Sequence, residues 1–162
     1  MTLDNNSLLL ALALVNLIMA GTLWVAFSGE VRNGLGLWGA SLLVEAGGWA
    51  LFIVSNVAGH GGSIIAGQIL IAASLMLQTA SLVELRKAKI NLPPLVSMPL
   101  LVGVLAALLV GNPRAEGAIT NLLQAACCAM VLWQLSRKNM HHQIRTLGLL
   151  WGAYLLLLVM FL

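Results

Sequence analysis

Glu45 is the residue whose type and position point most directly to chemistry, because it is the one carboxylate near the middle of a long apolar segment. An ionised carboxylate inside a membrane costs at least a few kcal/mol, so such residues are usually paired, protonated or facing a polar cavity. Trp49 lies one helical turn away, and the same stripe holds Trp38, Phe52 and Asn56. The pattern predicts a ligand or proton site walled by tryptophans. The alternative is a protonated Glu45 that only fixes helix packing.

Other polar side chains lie within the apolar segments and could line a cavity shared with Glu45. Asn16 belongs to the first segment, and Asn121 and Gln124 lie one turn apart in the fifth. The third segment has a stripe of small and polar residues at helical spacing: Gly67, Ser74, Gln78 and Ser81, with Gln68 alongside. These residues could equally be separate interhelical contacts, whose hydrogen bonds are worth roughly 0.6 kcal/mol each. The predicted ligand-binding residues are Glu45, Trp49, Asn16 and Gln78.

No arrangement of residues typical of a catalytic or metal centre accompanies this set. The sequence lacks GxSxG, HExxH, CxxC and GxxxxGK[ST] patterns, and no two acids are placed for acid–base catalysis. Adjacent Cys127 and Cys128 point in different directions on a helix and are interpreted as small packing residues. His141 and His142 lack the i, i+4 spacing of helical zinc ligands and are interpreted as loop residues that contact anionic lipid. We therefore predict no catalytic residue, no metal, no cofactor and no enzymatic activity.

The composition is that of an integral membrane protein. Hydrophobic residues make up 60% of the 162 residues, charged residues only 8%, and the mean hydropathy is +0.99. A soluble domain carries about 25% charged residues, so the predicted surroundings are a lipid bilayer. The net charge of +3 does not indicate nucleic acid as a partner, because no basic stripe with interleaved aromatic residues is present.

Six apolar segments position these residues. Each has roughly 16 to 22 residues, or about 24 to 33 Å as a helix, close to the roughly 30 Å hydrocarbon core. The fold class predicted is all-α, a polytopic transmembrane bundle of about six helices that forms a single integral membrane domain over residues 1–162. The predicted helices span about 7–27, 36–57, 64–85, 95–110, 117–135 and 146–162.

The basic residues alternate between the gaps that separate these segments. Lys and Arg are retained on the cytoplasmic side of a membrane, so the alternation predicts an N-terminus outside the bacterial inner membrane. It also predicts that the Arg86–Lys89 and Arg137–Arg145 loops are cytoplasmic. Six crossings would bring Leu162 back outside without a polar flank, an ending that indicates either a truncated chain or one that continues into a seventh helix and a cytoplasmic domain. The residues in alternate gaps are Arg32, then Arg86, Lys87 and Lys89, then Arg137, Lys138 and Arg145.

Several runs are similar to a known family. They are the opening Met1-Thr2-Leu3-Asp4, then 36–39 (GLWG) and 46–52 (AGGWALF), and 64–86 with its GQIL and SLVELR stretches. Together they resemble the N-terminal membrane regions of bacterial GGDEF-type diguanylate cyclases, in which a multi-helix sensor precedes a cytoplasmic cyclase domain. The resemblance covers roughly the first 90 residues, and Gln68 departs from it. No catalytic residue is carried over, because the chain has no GGDEF-like sequence.

The function predicted from these features is that of a membrane-embedded sensory or signal-transduction input domain, without catalytic activity of its own. It would act as a homodimer and detect a small-molecule ligand or a membrane state near Glu45 and Trp49. The alternatives are a small transporter or channel-like protein that uses Glu45, and an accessory subunit of a membrane complex.

Overall fold

The computed structural model describes residues 5–26, 34–59, 61–85, 92–109 and 112–136. These residues form five helices and no strand. In chain order the helices are α1 (Asn5–Ala26), α2 (Gly34–Ala58), α3 (Gly61–Leu85), α4 (Leu92–Leu109) and α5 (Pro113–Ser136).

Three of these helices are long and apolar enough to cross a membrane. They are α1, with 22 residues, and α2 and α3, with 25 residues each. The apolar parts of the other two are shorter, Leu95–Leu109 in α4 and Gly117–Trp133 in α5. A helix suits hydrocarbon surroundings because all its internal backbone hydrogen bonds are made within the segment.

The all-helical fold class predicted from the sequence is confirmed, while the helix count is not. The described residues hold five helices rather than about six. The predicted sixth helix, 146–162, lies outside the described residues. The same holds for the loops predicted to be cytoplasmic, Arg86–Lys89 and Arg137–Arg145.

The helices begin two to four residues before their predicted starts, and the reasons are visible at α4 and α5. Helix α4 begins at Leu92, so Pro93 and Pro94 lie in its first turn instead of separating it from the preceding loop. Proline is tolerated there because the first-turn N–H groups have no partner within the helix. Helix α5 begins at Pro113 after Asn112, whose Oδ1 accepts a 3.4 Å hydrogen bond from Ala115 N. This is an N-cap that stabilises the added turn.

Helix α3 is the centre of the bundle. It packs against α2, α4 and α5, whereas α1 packs mainly against α2. The apolar core is formed by one face of α3 and one face of α5: Ile71, Leu75, Met76 and Leu82 with Cys127, Cys128, Val131 and Leu132. Both cysteines are fully buried and free, which agrees with their interpretation as packing residues.

Helices α2 and α3 run antiparallel and approach closely at two levels. At one level, Ser81 Oγ donates a hydrogen bond to the Gly34 carbonyl oxygen. At the other, a Cβ added to Gly48 would lie 3.2 Å from Gly67 O. The two levels are fourteen residues apart on each helix (34 to 48 and 67 to 81), about 21 Å along the axis. Residues between the two levels on the facing sides, Glu45 among them, are therefore held between the helices.

Candidate functional site

Glu45 lies near the midpoint of α2, on the side that faces α3. Its carboxyl oxygen Oε2 accepts a 3.2 Å hydrogen bond from Nε2 of Gln78, which is buried on α3. The antiparallel register of the two helices produces this pairing, because it places the middle of α2 beside the middle of α3. The predicted carboxyl group therefore has a specific partner on a neighbouring helix.

Three further side chains lie near the same carboxyl group and interact with it. They are Asn16 of α1, Trp49 of α2 and Ser74 of α3. The structure thus brings together all four residues predicted to bind a ligand and adds Ser74. We call these five residues the Glu45 cluster: Asn16, Glu45, Trp49, Ser74 and Gln78. Three helices meet at this one carboxyl group.

Two members of the Glu45 cluster have an incomplete hydrogen-bonding pattern toward the carboxyl group. The Ser74 hydroxyl is fully buried and donates its hydrogen to Ile71 O at 2.8 Å, so its oxygen is left to accept. Trp49 Nε1 lies near the carboxyl group and is buried, yet no acceptor among the described residues meets the geometry of a hydrogen bond to it. The Glu45 cluster therefore has one available acceptor, Ser74 Oγ, and one available donor, Trp49 Nε1, beside the carboxyl group.

The charge of Glu45 has no fixed counterion in the described part of the chain. Across its ranges the basic residue present is Arg114, which is exposed in the first turn of α5. The other titratable group near Glu45 is the Cys128 thiol of α5, which interacts with it electrostatically. An uncompensated carboxylate inside a membrane is costly, so an ionised Glu45 would need a positive charge that the described side chains do not supply.

The aromatic stripe predicted around Glu45 divides into two parts. The Trp49 and Phe52 rings pack at a centroid distance of 5.9 Å, and together with Trp38 they lie against the apolar core. Asn56, which shares their stripe, instead donates a 2.9 Å hydrogen bond from Nδ2 to Asn6 Oδ1 at the exposed end of α1 and α2. Trp49 is therefore the aromatic residue of the stripe that reaches the carboxyl group, while Asn56 joins two helix ends.

A second buried polar contact lies between α3 and α5. Gln124, with 2% of its surface exposed, donates a hydrogen bond from Nε2 to Gln68 Oε1. Neither glutamine is among the groups that contact the Glu45 carboxyl, and Asn121 is exposed on α5. The polar residues within the segments thus form separate groups on different faces of α3 instead of one set around Glu45.

Sequence reasoning missed the part that Ser74 plays, although its position one turn before Gln78 marked the correct face of α3. Cys128 was considered only as a packing residue, and nothing in its spacing pointed to Glu45. Within the described ranges, no three His, Cys, Asp or Glu side chains come together as a metal site.

Comparisons with family models, with curated proteins and with solved structures found no match to this chain.

Proposed function

We propose that this protein is a membrane-embedded sensory input domain and that the Glu45 cluster is where the signal is detected. The observation that carries the proposal is the meeting of three helices at one carboxyl group without a fixed counterion. A change at that group alters contacts of α1, α2 and α3 together. A polar residue that served packing alone would need only one partner helix.

The proposal places the bundle in the bacterial inner membrane with its N-terminus outside. Its support is the length and apolar character of α1, α2 and α3. Large aliphatic side chains on the outer faces of α1 and α4 are exposed, as lipid-facing residues are: among them Val15, Ile18, Val25, Leu100, Val104 and Leu108. The alternating charges of the loops support the orientation.

Helix α1 is the element best placed to respond. It packs chiefly on α2, and the small residues Ala13 and Ala20 are its buried positions. Two polar contacts hold it in register: Asn16 with Glu45 near the middle, and Asn6 with Asn56 at the outer end. A ligand that binds one arrangement of α1 better than another would shift the population between the two.

The signal would pass to an output domain attached on the cytoplasmic side, in the way the resemblance to diguanylate cyclase membrane regions implies. A homodimer would allow the helices of two copies to change the distance between two such domains. The reading frame after the codon for Leu162 tests this part. A soluble signalling domain encoded there supports it, and a stop codon at that point contradicts it.

The helix movement itself can be measured with spin labels in lipid vesicles. Labels are placed at Val15 of α1 and Leu101 of α4, both exposed, because α1 packs chiefly on α2 whereas α4 packs on α3 and α5. Cys127 and Cys128 are replaced by Ala in this background. We expect Glu45→Ala, which removes every contact of the carboxyl group, to alter the distribution of Val15–Leu101 distances. A pair on the exposed surfaces of α3 and α5, Leu85 with Leu122, is the control and stays constant. An unchanged α1 distance would contradict a sensory role for the cluster.

A further inference from the structure

We propose that the ligand of the Glu45 cluster is a proton, held on the Glu45 carboxyl group and exchanged with water. The inference rests on the proposed function only in that it concerns the same site, and it names what that site binds.

The hydrogen bond that the Ser74 hydroxyl makes favours the neutral form of Glu45. The Ser74 hydroxyl donates its hydrogen to Ile71 O, and in this arrangement its oxygen can accept from a Glu45 O–H. A carboxylate has no hydrogen to give and would place two acceptor oxygens side by side. A protonated carboxyl group has an O–H that Ser74 Oγ can accept, while its other oxygen still accepts from Gln78 Nε2. The neutral form therefore matches both α3 partners as they stand, whereas the ionised form would need the Ser74 hydroxyl to turn away from Ile71 O.

The groups that surround the Glu45 carboxyl group bring no positive charge to it. From α1 the facing group is the neutral Asn16 amide, and from α3 the neutral Ser74 hydroxyl and Gln78 amide. From α5 the titratable group is the Cys128 thiol, which brings no positive charge at all. A proton is the smallest cation that neutralises Glu45, and it needs no cavity between helices that already touch at Gly48 and Gly67.

Loss of the proton changes the contacts of both neighbouring helices. The O–H donated to Ser74 disappears, and the new carboxylate accepts from Gln78, from Asn16 and from the Trp49 indole N–H, which has no acceptor of good geometry in the present arrangement. The neutral form favours the contact with α3, and the ionised form favours a rotation that aligns Trp49. Proton release thus changes which side chains of α1, α2 and α3 form hydrogen bonds with Glu45.

Infrared difference spectroscopy on the whole protein in phosphatidylethanolamine and phosphatidylglycerol vesicles tests the inference. A protonated carboxyl group gives a C=O stretching band that shifts in heavy water, and carboxyl groups in water are ionised at pH 7 because their pKa values are about 4. We expect such a band in the wild type at pH 7 and its loss as the pH is raised. The band is absent in Glu45→Gln and retained in the matched control Glu84→Gln. Ser74→Ala shifts it to higher frequency, because one hydrogen bond to the carboxyl group is lost.

Three outcomes would overturn the inference. Absence of the band in the wild type at neutral and acidic pH means that Glu45 does not hold a proton. A band unaffected by pH up to alkaline values means a permanently protonated packing residue. A band that responds to sodium at fixed pH, with choline as the reference cation, means a metal ion in place of a proton. The wild-type titration gives these results even if a variant does not fold. Since the spin-label distances are measured separately, a titrating band with immobile helices would leave the proton site standing and remove the sensory function.

Discussion

At the scale of single residues, Glu45 matters both for its charge and for the amides it satisfies. Gln78 Nε2 and the Asn16 amide point to its carboxyl group, so the consequence of a substitution depends on whether an oxygen remains there. Removing a hydrogen-bond partner of a buried polar group costs about 1–3 kcal/mol, whereas exchanging one acceptor for another costs much less.

Glu45→Gln is therefore expected to leave the free energy of unfolding within about 1 kcal/mol of the wild type, and Glu45→Ala to lower it by about 1–3 kcal/mol. Reversible unfolding by dodecyl sulfate in mixed micelles measures both. The control is Ala50→Gly, since Ala50 is exposed on the same helix and reports the cost of a backbone change alone. Equal losses for the glutamine and alanine variants would show that the neighbouring amides do not depend on Glu45.

The pair formed by half-buried Gln68 and buried Gln124 offers a cleaner measurement of one hydrogen bond between helices. Removing either partner leaves the other amide unsatisfied, and removing both restores an apolar contact. We expect each single change to Leu to be destabilising and the double variant to be more stable than the two single losses predict. The coupling free energy should be about 0.6 kcal/mol, up to about 1.7 kcal/mol, as in other membrane bundles. Strictly additive losses would mean that the two amides do not interact.

Individual site residues could be predicted from the sequence where a single helix determines the answer. Glu45 and Trp49 are four residues apart on α2, so their proximity follows from helical geometry alone. Asn16 and Gln78 were found as polar residues in apolar segments. The register between helices determines that Asn16 and Gln78 face Glu45. It also determines that Ser74 lies beside them and that Asn56 lies elsewhere. The sequence pattern of a single helix does not determine how that helix is aligned with its neighbours.

At the scale of helices, the α2–α3 pair depends on close approach at Gly48. Its neighbour Gly47 lies on the same helix with a different environment. A Cβ at Gly48 would meet Ile71 Cγ1 at 2.9 Å and Gly67 O at 3.2 Å, whereas one at Gly47 would make an ordinary contact, 3.6 Å from Leu70 Cδ1. Alanine substitutions at the two adjacent glycines therefore distinguish the effect of helix packing from the effect of helix propensity.

Gly48→Ala is expected to destabilise the protein by about 1–3 kcal/mol, because the added methyl group forces α2 and α3 apart. Gly47→Ala should be neutral or stabilise by up to about 1 kcal/mol, since alanine is the better helix former. Thermal unfolding in detergent, followed by circular dichroism, ranks the two variants against the wild type. If Gly47→Ala were the more damaging change, the described face of α2 would not be the one that packs on α3.

The helix boundaries show which part of an element hydropathy can predict. Apolar runs located the middles of α1 to α5, and the C-terminal ends at Leu85 and Ser136 fall within a residue of the prediction. The N-terminal ends were placed too late because first turns hold residues that favour turns or water, such as Gly61 and Pro113. Those residues can begin a helix without being apolar, so the hydropathy of a segment underestimates its length.

At the scale of the whole molecule, the surface of the bundle changes character from its sides to its ends. Leu, Val and Ile cover the sides of α1 and α4, while exposed tryptophans lie near helix ends, Trp24 in α1 and Trp133 in α5. Tryptophan favours the boundary between lipid and water. The charge alternation predicts that both of these helices run from the outside inward. Trp24 and Trp133 would then mark the same, cytoplasmic boundary, on which the basic loops also lie.

The orientation can be tested by cysteine labelling in intact cells. Cys127 and Cys128 are fully buried, so the unmodified chain should give little background with a membrane-impermeant maleimide. Gly62→Cys is exposed at the start of α3, where a side chain meets no neighbour within 4 Å, and Ala88→Cys lies between the basic residues of the third gap. We expect Gly62→Cys to react at once and Ala88→Cys to react only after the membrane is permeabilised. The opposite pattern would invert the bundle, and Trp24 and Trp133 would then mark the outer boundary. Labelling of both positions in intact cells would contradict a crossing of the membrane by α3. Glu45 would then not lie within the membrane, and a charge on it would not carry the cost argued above.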